Sequence, residues 1–168
     1  SKIVNRNNII VVLSLTASLF VYLFYRTKKT IVVSLALHII PEEYFQELRH
    51  WIRLELPLND FVIYSLPEGL WVMAATIMAL PFIVEYKRYV FKLMYIPLLF
   101  SVGLEILQLL NITRGRFDTA DIVIVILSWF MAIIIGTSPS HTTIYPFTLR
   151  GVLCLLVFSL VYLSHVCQ

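Results

Sequence analysis

Glu105 and Gln108 stand three residues apart near the end of a long apolar run, and Arg116, Asp118 and Asp121 follow shortly after. Residues three apart on a helix share a face, so the Glu105 carboxylate and the Gln108 amide should point together. An arginine can contact an anionic group, while an amide and carboxylates can contact hydroxyls or amines. Asp60 and the Pro67-Glu68-Gly69 turn offer two further acids earlier in the chain. Each group also has a structural reading. Asp118 can cap a helix, with Asp121 in its first turn and Phe117 as the staple residue. Arg116 can be an interfacial cation or simply pair with Glu105. Glu105 has no capping role and lies deepest in apolar sequence, where a carboxylate costs about 2.5 to 3.5 kcal/mol at a membrane centre. It therefore calls for a partner, a bound ligand or a proton.

The elements that position these residues are apolar throughout. Of 168 residues, 60% are hydrophobic and 14% charged, against about a quarter charged in soluble domains. This composition excludes a soluble globular enzyme, and the 11 Phe, 9 Tyr and 3 Trp exclude a disordered regulator. It predicts one all-α membrane domain over residues 1–168, a polytopic bundle of about five transmembrane helices. The predicted spans are Ile9–Tyr25, Leu66–Val84, Val90–Leu110, Ala120–Gly136 and Leu149–Val166. The first is expected to be a retained helix, because its apolar stretch ends in Phe, Tyr and Arg with no small-residue cleavage site. Pro97 should kink the third. Residues 31–40 are too short to span and are expected to be surface-seated or re-entrant.

Residues 41–56 differ from these blocks. Tyr44, Phe45, Leu48, Trp51 and Ile52 recur at helical spacing among Glu42, Glu43, Glu47, Arg49, His50 and Arg53. The pattern predicts an amphipathic helix in the membrane interface, or one that caps the bundle. The short turn with Lys87, Arg88 and Lys92 should be cytoplasmic, which places the N-terminus inside. Alternation then brings the end of the third span and the starts of the second and fourth to one outer surface. Asp60, Glu68, Glu105, Asp118 and Asp121 would meet there, and that convergence does not depend on orientation.

Other chemistry finds little support. Net charge is +3 without a long basic run, so nucleic acid is not an expected partner. Cys154 and Cys167 form no Cys-x-x-Cys or zinc-type spacing, no metal or cofactor is expected, and His38, His50, His141 and His165 are scattered. Nucleophile triads and glycine-rich phosphate loops are missing from the sequence.

The string Glu105-Ile-Leu-Gln108, followed by Arg116-Phe-Asp118-Thr-Ala-Asp121 at the start of the next apolar helix, resembles the VanZ-like family of small bacterial membrane proteins. Asp60 ahead of Pro67-Glu68-Gly69 resembles that family's polar residue before a Pro-x-Gly turn. The similarity covers about residues 60–136. Val125 and Ser128 stand where the family usually has Asn and Gly, and Glu68 replaces a commonly apolar residue. The resemblance implies an inner-membrane protein acting at the cell envelope, in a family linked to glycopeptide antibiotic resistance. It implies no particular reaction. The leading expectation is that Glu105, Gln108, Arg116, Asp118, Asp121, Asp60 and Glu68 bind the head of a lipid or envelope amphiphile. Two alternatives remain: an enzyme acting on a lipid-linked substrate, and a structural or accessory subunit of a membrane protein complex.

Overall fold

The computed structural model describes residues 2–26, 31–86, 88–113, 117–137 and 142–144. The chain is mostly helical. Its helices are α1 (Lys2–Phe24), α2 (Ile31–Ile39), α3 (Glu42–Glu55), α4 (Asp60–Tyr64), α5 (Leu66–Ala79), α6 (Tyr95–Leu109) and α7 (Thr119–Ile135). Among the described residues, three short strands accompany them: β1 (Phe82–Tyr86), β2 (Tyr89–Lys92) and β3 (Thr142–Ile144). Among the described residues, one helix, from Arg6 to Phe24, is long and apolar enough to cross a membrane. The predicted fifth span, Leu149–Val166, lies outside the described residues.

Helix α5 is the centre of the packing, lying against α1, α6 and α7. Its buried side is built largely from small residues, Gly69, Ala74, Ala75, Thr76 and Ala79. Helix α1 meets it with Ser14, Ser18 and Val21, a stripe at intervals of four and three residues. The Ser18 hydroxyl donates to the Pro67 carbonyl at 3.1 Å. On the other side, a Cβ added at Gly69 would sit 2.6 Å from Ser128 Oγ and 2.9 Å from Ile124 Cγ1. Glycine fits here because the Ser128 and Ile124 side chains of α7 fill the space a Cβ would need, and either would have to shift to admit one. Small residues that permit such approach are typical of helix contacts in membranes. Helix α7 continues the contact with Val125 and Ala132, both fully enclosed.

Two predicted spans end differently from expectation. Leu66–Val84 was read as one helix, but α5 stops at Ala79 and the chain turns into β1. Pro81 has no amide to continue the helix, and Phe82-Ile83-Val84 is aromatic and β-branched, which suits a strand. Val90–Leu110 likewise begins as strand β2 before α6 starts at Tyr95. The expected turn between two helices is thus a β-hairpin, with Tyr86 opposite Tyr89, and β3 adds in parallel on the other edge of β1. Pro97 causes no kink, because it is the third residue of α6, where amides have no intrahelical acceptor anyway. Trp129 Nε1 donates to the Met94 carbonyl at 2.9 Å and ties α7 to the start of α6.

The other predicted elements agree more closely. Ala120–Gly136 is α7 to within a residue at each end, 41–56 is α3, and residues 31–40 hold the nine-residue α2. Helix α6 ends on Asn111 at φ 56°, in the left-handed region that asparagine tolerates better than most residues. Its amide donates to the Gln108 carbonyl and that of Ile112 to the Leu107 carbonyl, both at 2.9 Å, which is a Schellman arrangement.

Two glycine substitutions separate close approach from propensity. Gly69→Ala should lower stability by about 1–3 kcal/mol through overpacking. A Cβ at Gly103 meets nothing within 4 Å, so Gly103→Ala should be neutral or stabilise by up to about 1 kcal/mol. Thermal unfolding in detergent checks the order; equal midpoints for the two variants would contradict the close α5–α7 contact.

Candidate functional site

Helix direction explains how distant acids meet. Arg6 and Asn7 at the start of α1 hydrogen-bond Ile135 and Thr137 at the end of α7, so these helices run antiparallel. The Ser18–Pro67 bond places the second half of α1 beside the start of α5. The end of α1, the start of α5, the end of α6 and the start of α7 therefore share one end of the bundle. There Glu68, Glu105 and Asp121 each offer a carboxylate oxygen, and these atoms all lie within 4.8 Å of one another.

Each carboxylate is held by its own helix. Glu105 is 4% exposed and shares the buried side of α6 with Pro97 and Ser101, at intervals of four residues. Its Oε2 accepts the Asp118 amide at 3.2 Å. Glu68 lies in the first turn of α5, directly after Pro67. Asp121 lies in the first turn of α7, where the helix dipole favours an anion. The Ser65 hydroxyl donates to its carboxylate, while Oδ1 is buried without a hydrogen bond among the described residues.

Of the seven residues expected at this site, the structure brings Glu68, Glu105 and Asp121 together. Asp118 adjoins them through its backbone. Its side chain is exposed and accepts the Ala120 amide at 2.8 Å, so it is the N-cap of α7. Gln108 is half-buried three residues after Glu105, but the donor that reaches Glu105 is the Asp118 amide. Asp60 is exposed in the first turn of α4, behind the Asn59 cap, and is not one of the three converging acids. Arg116 lies outside the described residues.

A different cation reaches the cluster. Arg26, just past the end of α1, donates to the Tyr64 carbonyl at 2.8 Å. Its guanidinium carbon lies 5.0 Å from the centre of the Tyr22 ring and 5.1 Å from that of Tyr64, within cation–π range of both. It is close enough to Glu68 and Asp121 to interact with both electrostatically. Its Nε is buried without a hydrogen bond among the described residues. The alternation that gathered the acids also carries the end of the first helix to this side, so Arg26, Tyr22 and Ser65 were within reach of the same reasoning.

Behind Arg26 lies α3. Arg49 Nε donates to the Phe24 carbonyl at 3.2 Å, and Arg49 also bonds the Arg26 carbonyl. Arg53 donates to the Phe24 and Tyr25 carbonyls at 2.8 and 3.0 Å. The last carbonyls of a helix have no intrahelical donor and carry its negative pole, so two arginines both satisfy and neutralise them. Burial, and secondarily the neighbouring charge of Arg53, push the Arg49 guanidinium down from its usual range. An arginine nevertheless stays charged at neutral pH.

Chemically, this is an acidic site with a guanidinium on its rim. Three carboxylates can accept from an ammonium group, and by ligand type and spacing they also suit a hard divalent cation. The cap can be tested apart from the site. Asp118→Ala should cost about 1 kcal/mol of stability, whereas Asp118→Asn should keep most of it. Both retain the backbone amide that meets Glu105, so chemical denaturation should move only for Ala. An equal loss in both variants would show that the carboxylate charge, not the cap, is what matters.

Comparisons with protein-family models, with curated proteins and with solved structures find no match.

Proposed function

We propose that the chain is a multi-pass membrane protein whose carboxylate cluster binds the amine-bearing head of a lipid or envelope amphiphile. The observation that carries this reading is the convergence of Glu68, Glu105 and Asp121, from three helices, at one end of the bundle. Like charges this close in a low-dielectric setting need a compensating positive group or a proton. Arg26 supplies part of it and adds a donor for an anionic moiety. A zwitterionic head could place its ammonium among the carboxylates and its phosphate toward Arg26.

The membrane assignment draws on where apolar side chains point. Ile9, Val12, Leu13 and Leu19 on α1, and Val123, Ile126, Leu127, Phe130 and Ile134 on α7, face outward, while the helix contacts are made by small residues. This inverts the pattern of a soluble bundle. Helices α5, α6 and α7 have 14, 15 and 17 residues, or roughly 21–26 Å, so the surrounding bilayer would be thinner than about 30 Å or the helices would be extended by their flanking turns. The VanZ-like family, the inner membrane and an outward-facing site with the N-terminus inside belong to the same proposal.

Glu68→Gln and Asp121→Asn test it with little change of shape. Each should weaken binding of phosphatidylethanolamine about tenfold, as expected for loss of one charge-assisted bond. Native mass spectrometry of the detergent-extracted protein reads lipid retention directly. Equal retention in parent and both variants would overturn the reading. A second arm titrates calcium or manganese. If the divalent ion raises the parent's thermal midpoint and not the variants', while lipid retention is unchanged, the cluster is an ion site and the lipid reading fails.

A further inference from the structure

Helix α3 has three faces, and among the described residues one of them is buried against the rest of the chain. Phe45 and Arg49 are buried against the end of α1, with the Phe45 and Phe24 rings 6.2 Å apart. On the far side, Glu43, Glu47 and His50 are exposed, a surface suited to water. On the flank between, Tyr44, Leu48 and Trp51 follow at intervals of four and three residues and form one stripe. These side chains are 68%, 43% and 60% exposed. A contiguous aromatic and aliphatic stripe of this kind marks a contact surface rather than a surface for water.

The place of α3 in the fold indicates what covers that stripe. Arg49 and Arg53 fix α3 across the C-terminal carbonyls of α1, the helix long and apolar enough to span a membrane. The outward apolar belt of α1 ends where α3 begins. A helix seated just beyond the end of a span, with one apolar flank and one acidic face, fits the boundary between acyl chains and water. Tyrosine and tryptophan are the residues that favour this depth, since each joins a large apolar ring to one polar group.

Resting on the membrane reading above, we infer that α3 seats on the lipid surface through Tyr44, Leu48 and Trp51, and that this seat holds the Arg26 end of α1 against the carboxylate cluster. The link is one hydrogen bond: Arg49 donates to the Arg26 carbonyl, and Arg26 lies close enough to Glu68 and Asp121 to act on both electrostatically. The occupant is a bilayer surface, and a protein partner on the same stripe is a distinct outcome.

Spin labels on single cysteines distinguish these outcomes, in full-length protein with Cys154 and Cys167 replaced by Ser, reconstituted in vesicles of phosphatidylglycerol and phosphatidylethanolamine. Labels at Tyr44→Cys, Leu48→Cys and Trp51→Cys should show a several-fold higher ratio of oxygen to nickel-chelate collision than labels at Glu43→Cys, Glu47→Cys and His50→Cys. All six positions are exposed, so the fold should tolerate each label. A label at Leu13→Cys on α1 serves as the membrane reference. Lipid-type access at Leu13 with water-type access along the α3 stripe overturns the seat and leaves the membrane reading standing. Water-type access at Leu13 overturns the membrane reading itself. Exclusion of both reagents from the stripe means a protein covers it, which also overturns the seat.

Discussion

The close approach of α5 to its neighbours is the constraint on which the rest depends. Gly69 lets α7 come so near that Ser128 and Ile124 occupy the space a Cβ would need. Glu68 stands beside that glycine and Asp121 lies in the first turn of α7, so the same contact that joins the helices brings their carboxylates together. In water, such packing would be driven by burial of large apolar side chains. Here small residues make up much of the contact around α5, while many large apolar side chains of α1 and α7 point outward. On the proposed membrane reading, association relies on dispersion and short polar links such as Ser18 to Pro67. A bundle held in this way is sensitive to single atoms at its contacts and tolerant at its surface.

Much of the site was legible because it follows from alternation. Any chain of successive spans places the end of one helix beside the start of the next, so Glu105, Asp121 and Glu68 could be gathered without a structure. The Asp118 cap was legible for a local reason: an acid just before an apolar helix has few other roles. Asp60 was not separable from these by sequence, since it heads a short helix of its own, capped by Asn59, ahead of α5. Arg26 was overlooked because cations after a span usually serve solvation and topology, and nothing local marks one that turns inward between two tyrosines.

The fold errors have one cause. Hydropathy does not tell an apolar strand from an apolar helix, so Phe82-Ile83-Val84 and Val90-Phe91 were absorbed into neighbouring spans. Pro81 was the signal that separated them, as it cannot continue a helix and α5 ends at Ala79, two residues before it. The reverse mistake attached to Pro97. A proline deep in an apolar run suggests a kink only if the helix already exists before it, and α6 begins just two residues earlier. The cases turn on where a helix ends or starts, and apolar composition carries no information about that.

The chain of contacts from α3 to the cluster joins these observations. A helix end normally leaves its last carbonyls to water. At the end of α1 they are taken by Arg49 and Arg53, which fixes the backbone at Arg26 from behind. From in front, the Tyr22 and Tyr64 rings and the Tyr64 carbonyl confine its guanidinium. Without α3, the segment after α1 would be free to carry Arg26 into water, where an arginine is better solvated than beside two rings. The three carboxylates would then face one another with no fixed positive group at their rim. The amphipathic helix thus acts on the site from behind, through the backbone that carries Arg26.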